Sequence, residues 1–402
     1  MRVTTILVWS ALAVGAEDWT EFRGPTGQGH SPATGLPVSW AESKSVAWKT
    51  PVAGRGWSSP VVKDGRIWLT TATEDGKARS LRLLSFDLGT GKPGLDVEVF
   101  RFDNLPAAHA KNSFASPTPV LEEDMVYVHF GLATAAVKTS GDVVWRYQAK
   151  YNWIHGAGGS PVLYRDLLIF SCDGADVQFV IALDKRTGEV RWRTDRPKPA
   201  HMAFSTPLVI STPKGDQLVS TGGHQTVAYD PATGKELWLV EYGDGFSNVP
   251  RPVYAGGFVL ICTGFYKPEL LAVRPDGSGN VTGTHIAWRV GRSVPLTPSP
   301  IVVGQEVYMV SDNGILTALD FKTGRIYYQE RLGGNYSASP LFADNRLYLS
   351  SEDGETHVFK PGTEFKKIAT NRLDGQLFAS PAVVGKALIL RTDSALYRIE
   401  EK

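Results

Sequence analysis

Two histidines in successive loops, His155 and His201, come nearest to a reactive pair in this 402-residue chain. An imidazole can act as a general base, and two imidazoles can begin a metal site. A metal site would need a third ligand, and the eight histidines show no His-Glu-x-x-His or Cys-x-x-Cys spacing. No Gly-x-Ser-x-Gly elbow and no phosphate-binding Walker loop occurs, and nothing joins two distant carboxylates as an acid and base. The glycine cluster Gly156-Ala157-Gly158-Gly159 is followed by no helical pattern, so it reads as close backbone packing rather than a phosphate cradle. The sequence thus predicts no catalytic residue and no metal ligand, and it directs attention to binding.

The binding candidates are polar and aromatic residues standing a few positions before a repeated proline. They are Arg55 and Trp57, Asn112, Trp153 and His155, His201, Asn248 and Arg251, Asn335 and Tyr336, and Gln376, with Phe114, Phe204, Arg292 and Phe378 beside them. Side chains of these types could ring a shared pocket. Each also has a plain structural use, because Arg, Asn and His in loops commonly satisfy backbone carbonyls.

What positions them is a repeat. A hydroxyl residue followed by Pro and then β-branched residues recurs as Ser59-Pro60, Ser116-Pro117, Ser160-Pro161, Thr206-Pro207, Ser299-Pro300, Ser339-Pro340 and Ser380-Pro381, with Arg251-Pro252 filling the one gap. Eight units of about 40 to 57 residues suit four short strands each, which is the spacing of propeller blades. Pro at the head of a strand is tolerated because it has no ladder amide to give. Strands such as Arg66–Thr70 and Glu306–Val310 are expected to alternate buried and exposed residues. Asp-x-x-Thr-Gly turns at Asp87, Asp184, Asp230 and Asp320 predict a carboxylate-capped return with Gly at positive φ. The aromatics that follow, Trp145, Trp192, Trp238, Trp288 and Tyr328, are expected to wedge between neighbouring blades.

The last unit, from Ser380 to Lys402, has room for three strands, and Val46-Ala47-Trp48-Lys49 reads like the missing fourth. The expectation is an all-β, eight-bladed propeller over residues 45–402, closed by its N-terminal strand, with a Gly- and Pro-rich strap over residues 17–44. Closure removes free sheet edges and predicts a monomer. Residues 1–16 read as a signal peptide, with Arg2, an apolar stretch and Val14-Gly15-Ala16 before Glu17. No lipobox cysteine accompanies it, so the expectation is a periplasmic or secreted protein without a transmembrane segment. Forty-two basic against 41 acidic side chains argue against a nucleic-acid partner. Cys172 and Cys262 fall in non-adjacent units and are expected to be buried free thiols.

The Ala-x-Asp-x-x-Thr-Gly-x-x-x-Trp units at Ala182–Trp192 and Ala228–Trp238 resemble the tryptophan-docking repeats of PQQ-like (pyrroloquinoline-quinone-like) propellers. Trp19-Thr20-Glu21-Phe22-Arg23-Gly24-Pro25, with Gly35-Leu36-Pro37 further on, is similar to the leading segment of secreted planctomycete-type members. The resemblance implies either of two functions. One is a non-catalytic, BamB-like binding or scaffold propeller presenting loops to a protein or glycan partner. The other is a small quinoprotein oxidoreductase holding PQQ and calcium, which in that branch comes with an adjacent-cysteine disulfide absent here. A hydrolase or lyase using His155 or His201 as base is a third, weaker reading. The expectation is the binding propeller, without cofactor.

Overall fold

The computed structural model describes residues 18–401, so the signal segment expected at residues 1–16 lies outside the described residues. Eight sheets follow one another round an axis, and no helix occurs among the described residues. Seven blades are built from consecutive strands, spanning residues 61–102, 120–148, 162–195, 208–241, 253–290, 301–331 and 341–372. The eighth takes Ala382–Val384, Ala387–Arg391 and Ala395–Ile399 from the C-terminus and Val46–Pro51 from the N-terminus. Trp48 pairs with Arg398 and Thr50 with Leu396, so the ring closes between the two ends of the chain. Blade 4 carries a short fifth strand, Gly279–Asn280, parallel to its outer edge.

The first strand of each blade is only a few residues long, and first strands of neighbouring blades meet round the axis. Second and third strands differ from the alternating pattern expected of them. Val307, Tyr308, Met309 and Val310 are all fully buried, as are Leu168, Ile169 and Phe170. The reason is that a middle strand lies between two neighbouring blades, so both of its faces are covered. Alternation survives on the outer strands, where Val46–Pro51 has one half-buried and one solvent-facing side.

The blades are joined by tryptophan docking. In each Asp-x-x-Thr-Gly turn the carboxylate accepts backbone hydrogens, as Asp184 does from Arg186 at 2.9 Å and Thr187 at 3.1 Å. The Gly then takes a left-handed φ, +77° at Gly188 and +73° at Gly234. The indole of the preceding blade lies flat on that Gly: a Cβ there would stand 2.7 Å from Trp145 at Gly188 and 2.5 Å from Trp192 at Gly234. Each indole N–H donates to a carbonyl of the same turn, from Trp48 to Leu88, Trp145 to Lys185, Trp192 to Pro231 and Trp288 to Phe321, at 3.0 to 3.1 Å. Blade 5 lacks the motif, and there Trp238 donates to Gln217, which passes the bond on to the Pro275 carbonyl. The cross-strand partner of the docking Trp is the small Ala of the motif, Ala182 for Trp192 and Ala228 for Trp238, and a β-bulge follows it.

The strap crosses the axis on the face opposite the Pro-led loops. Trp19 pairs with Val62 of blade 1, Gln28 brackets the backbone of Tyr254 in blade 5, and His30 pairs with Phe342 of blade 7. Trp19, Leu36 and Trp40 are buried with blades 1, 7 and 8 in one core cluster. Cys172 and Cys262 are buried and free, in blades 3 and 5.

The docking contact predicts an unequal pair of substitutions. Gly257→Ala has a left-handed φ of +82° but nothing near its new methyl, and should cost about 1–2 kcal/mol of backbone strain. Gly234→Ala carries the same strain and also meets Trp192, which should add about 1–3 kcal/mol. Urea unfolding of the two variants side by side measures the difference.

Candidate functional site

The inner end of every blade but the fifth begins with a hydroxyl residue whose oxygen accepts a hydrogen bond from the corresponding amide of the blade before. Ser59 N–H donates to Thr118, Thr118 to Ser160 and Ser160 to Thr206, each at 2.9 Å. Arg251 donates to Ser299, Ser299 to Ser339, Ser339 to Ser380 and Ser380 back to Ser59, at 2.9 to 3.1 Å. The ring therefore runs through the seam between the two chain ends. Its one break falls where Arg251 replaces the hydroxyl. In blade 2 the ring passes through Thr118-Pro119, two residues beyond the Ser116-Pro117 expected from the repeat. Both dipeptides fit the pattern, and the strand that follows, Val120–Glu122, selects the second. Ser116 instead donates to Asn112 at 2.6 Å.

These seven hydroxyls line an axial funnel of about 500 Å³. Its floor is Phe22 of the strap. Beneath it Arg251 is buried, its guanidinium donating to the carbonyls of Pro207 at 3.1 Å and Phe22 at 2.7 Å, and standing 3.5 Å from the Glu21 carboxylate. Arg23 is buried beside it and donates to the Gln28 and Pro300 carbonyls at 2.9 and 2.8 Å. Burial, and then the neighbouring Arg251, pull the Arg23 guanidinium down to about 9. Burial pushes the Glu21 carboxyl up against the opposing pull of Arg251.

The mouth is aromatic. Trp57 stacks on Phe378 at 4.4 Å across the seam between blades 1 and 8. Across the funnel, Phe246 packs on Phe265 at 5.7 Å and on Tyr266 at 5.8 Å, and Phe265 and Tyr266 are 49% and 71% exposed. The long loop between blades 1 and 2 closes one side of the rim. Lys111 on it reaches Glu352 of blade 7 at 2.6 Å, and its carbonyl accepts the Trp57 indole N–H at 3.1 Å. His109 on the same loop meets His155 edge to face at 5.5 Å.

The structure disperses the residues singled out by sequence. Trp57, Asn112 and His155 line the funnel. Arg55 sits on the rim, its guanidinium 5.2 Å from the Trp57 ring. His201 packs on Phe246 at 4.7 Å and on His224 at 5.5 Å, so the two loop histidines pair with other histidines and not with each other. Burial, and then the partner imidazole, lower both His155 and His201. Asn112 is held by the carbonyls of His155 and Ala157, at 2.8 and 3.0 Å. Trp153 is buried against Gly131, Asn248 donates to the Cys262 carbonyl at 3.1 Å, and Tyr336 is buried between blades. Asn335 and Gln376 are exposed loop residues whose backbones bond to Glu352 and Asp393. Phe246, Phe265 and Tyr266 escaped the sequence reading. The available signal was Phe265-Tyr266 inside a Gly- and Pro-bounded turn, an apolar pair with no core strand to serve.

The family model described as outer membrane protein assembly factor BamB matches residues 32–148, 98–282 and 279–363. The chain belongs to this family of PQQ-like, BamB-like propellers. An outer membrane protein assembly factor BamB from Alteromonas naphthalenivorans is 28% identical over 258 residues, 58% of this chain and 54% of that protein. This match therefore spans about half the length of that relative. Quinohemoprotein alcohol dehydrogenase ADH IIB from Pseudomonas putida is 28% identical over 346 residues, 76% of this chain and 46% of that protein. A solved quinohemoprotein alcohol dehydrogenase from Comamonas testosteroni superposes on 96% of this chain and 81% of its own with a TM-score of 0.68. At 12% identity that likeness speaks for the fold alone.

For the PQQ and calcium of the quinoprotein branch, the funnel of this BamB-like propeller carries the wrong donors. None of its lining residues is Asp or Glu, and among the described residues no three His, Cys, Asp or Glu side chains gather as a metal site. The residues present do not fit that centre.

The corrected register and the buried imidazoles give two expectations. Thr118→Val leaves the Ser59 amide buried without its acceptor and should cost about 1–3 kcal/mol, whereas Ser116→Ala, outside the ring, should cost about 1 kcal/mol or less. Urea midpoints compare them. Burial drives His129 down to about 3. Because its folded value lies below its unfolded one, its contribution is complete above about pH 6.5 and is lost as pH falls towards 3, by up to about 1.4 kcal/mol per pH unit. His129→Gln should flatten the dependence of the urea midpoint between pH 7 and 4.

Proposed function

We propose that this chain is a non-catalytic, BamB-like scaffold of the periplasm that holds a protein partner on its loop face, through the axial funnel and the aromatic rim round it. The observation that carries this reading is the lining itself. Aromatic rings at the mouth and hydroxyls below offer contact area and hydrogen bonds, without a carboxylate or an activated nucleophile to do chemistry. Tyr, Trp and Phe dominate the energetics of protein contacts because a ring buries much area at small entropic cost. Phe265 and Tyr266 are exposed next to that mouth, which makes the patch continuous with the cavity. Curated relatives named as outer membrane protein assembly factors support a protein as the partner. The closed ring supports a monomer, since its blades leave only short outer edges to offer a second copy. Export by a cleaved signal peptide belongs to the same reading.

Selection of a random peptide library on the purified chain tests it. Peptides rich in aromatic and aliphatic residues should emerge with micromolar affinity, and Trp57→Ala with Phe246→Ala should weaken them at least tenfold, about 1.4 kcal/mol or more. Binding of oligosaccharides in place of peptides would turn the reading to a glycan partner. Oxidation of alcohols with a dye acceptor, after addition of PQQ and calcium, would overturn it in favour of the quinoprotein alternative.

A further inference from the structure

The seven funnel hydroxyls share a property that folding alone does not use. Each oxygen accepts one amide hydrogen from the neighbouring blade, and among the described residues none of the seven donates its own proton to a protein acceptor. All seven side chains belong to residues more than nine-tenths buried, and all face the same cavity. A hydroxyl carries one donor, and here that donor is the group left to be placed. No carboxylate on the lining competes for those donors. Lys111 stands in the wall, and Arg251 and Arg23 lie under the Phe22 floor. Three acidic groups nearby are engaged: Glu21 by Arg251, Glu352 by Lys111 and the Ser337 hydroxyl, and Asp312 by the backbone N–H groups of Leu296 and Thr297.

We propose that the hydroxyl ring is the floor of a carboxylate site, taking a ligand that enters acid end first and lays an apolar body against Trp57, Phe204, Phe246 and Phe378. Converging O–H donors favour an anionic acceptor over a neutral one, because charge-assisted bonds are roughly twice as strong. A cavity of about 500 Å³ holds a small organic acid or the last few residues of a polypeptide. The shared chemistry is a free carboxylate on an apolar carrier, and the proposal rests on the funnel being the binding site.

Calorimetric titration of the full chain with N-acetyl-Leu-Leu-Phe, with the same peptide as its C-terminal amide, and with 3-phenylpropanoate tests it. The acid should bind at least tenfold more tightly than the amide. Thr297 lines the funnel outside the ring. Thr297→Asp should weaken the acid at least tenfold and the amide less than threefold, while Thr297→Asn should leave the preference intact. Tighter binding of the peptide acid than of 3-phenylpropanoate assigns the site to a chain end, and equal binding assigns it to small acids. Equal affinity for acid and amide overturns the carboxylate floor while leaving the aromatic funnel as a site. Absence of binding by all three also overturns it, and the library selection then decides separately whether the funnel binds peptides.

Discussion

A four-stranded blade cannot bury both of its faces alone, and the whole structure follows from that constraint. Each blade needs a neighbour on either side, so a row of blades is stable only when its two ends meet. Two sets of contacts hold the row at matched spacing. On the outside, the indoles of Trp48, Trp145, Trp192 and Trp288 each lie on the left-handed Gly of the next turn and donate to its carbonyl. On the inside, seven amides donate to the next blade's hydroxyl, with one break at Arg251. The blade that pairs Val46–Pro51 with Ala395–Ile399 is held to blade 1 by both: Trp48 docks on the blade 1 turn, and Ser380 donates to Ser59.

The strap then makes a pocket out of what would have been a bore. It satisfies strand edges of blades 1, 5 and 7, and it places Phe22 across the axis. Arg251 links the two systems. It interrupts the hydroxyl ring, and its guanidinium reaches the strap carbonyl of Phe22. The same replacement that breaks the circle thus anchors the plug, and a funnel open on one side is the result.

Much of this was legible in sequence because the repeat is local. The Pro ladder, the Asp-x-x-Thr-Gly turns and the Trp that follows lie within one unit, and each has a short-range cause. The register of blade 2 was not legible, since Ser116-Pro117 and Thr118-Pro119 satisfy the same rule and only a bond to Ser59 on another blade separates them. The site was legible in part. Position before a Pro-led strand places Trp57, Asn112 and His155 on the funnel, but the same position turns Trp153, Asn248 and Tyr336 into the protein. Loop residues close in sequence can face opposite ways, and spacing carries no record of which.

The amino-acid sequence by itself determined the number of blades, the docking turns and the strand that closes the ring, because these rest on contacts within a unit or on a repeated residue type. Tertiary structure alone decided that the hydroxyls form a circle, that Phe22 is its floor, that His155 meets His109 rather than His201, and that Phe246 gathers Phe265 and Tyr266 at the mouth. Each of these joins residues from different blades or from the strap. Their distance apart is set by the closure of the ring, which no single segment contains.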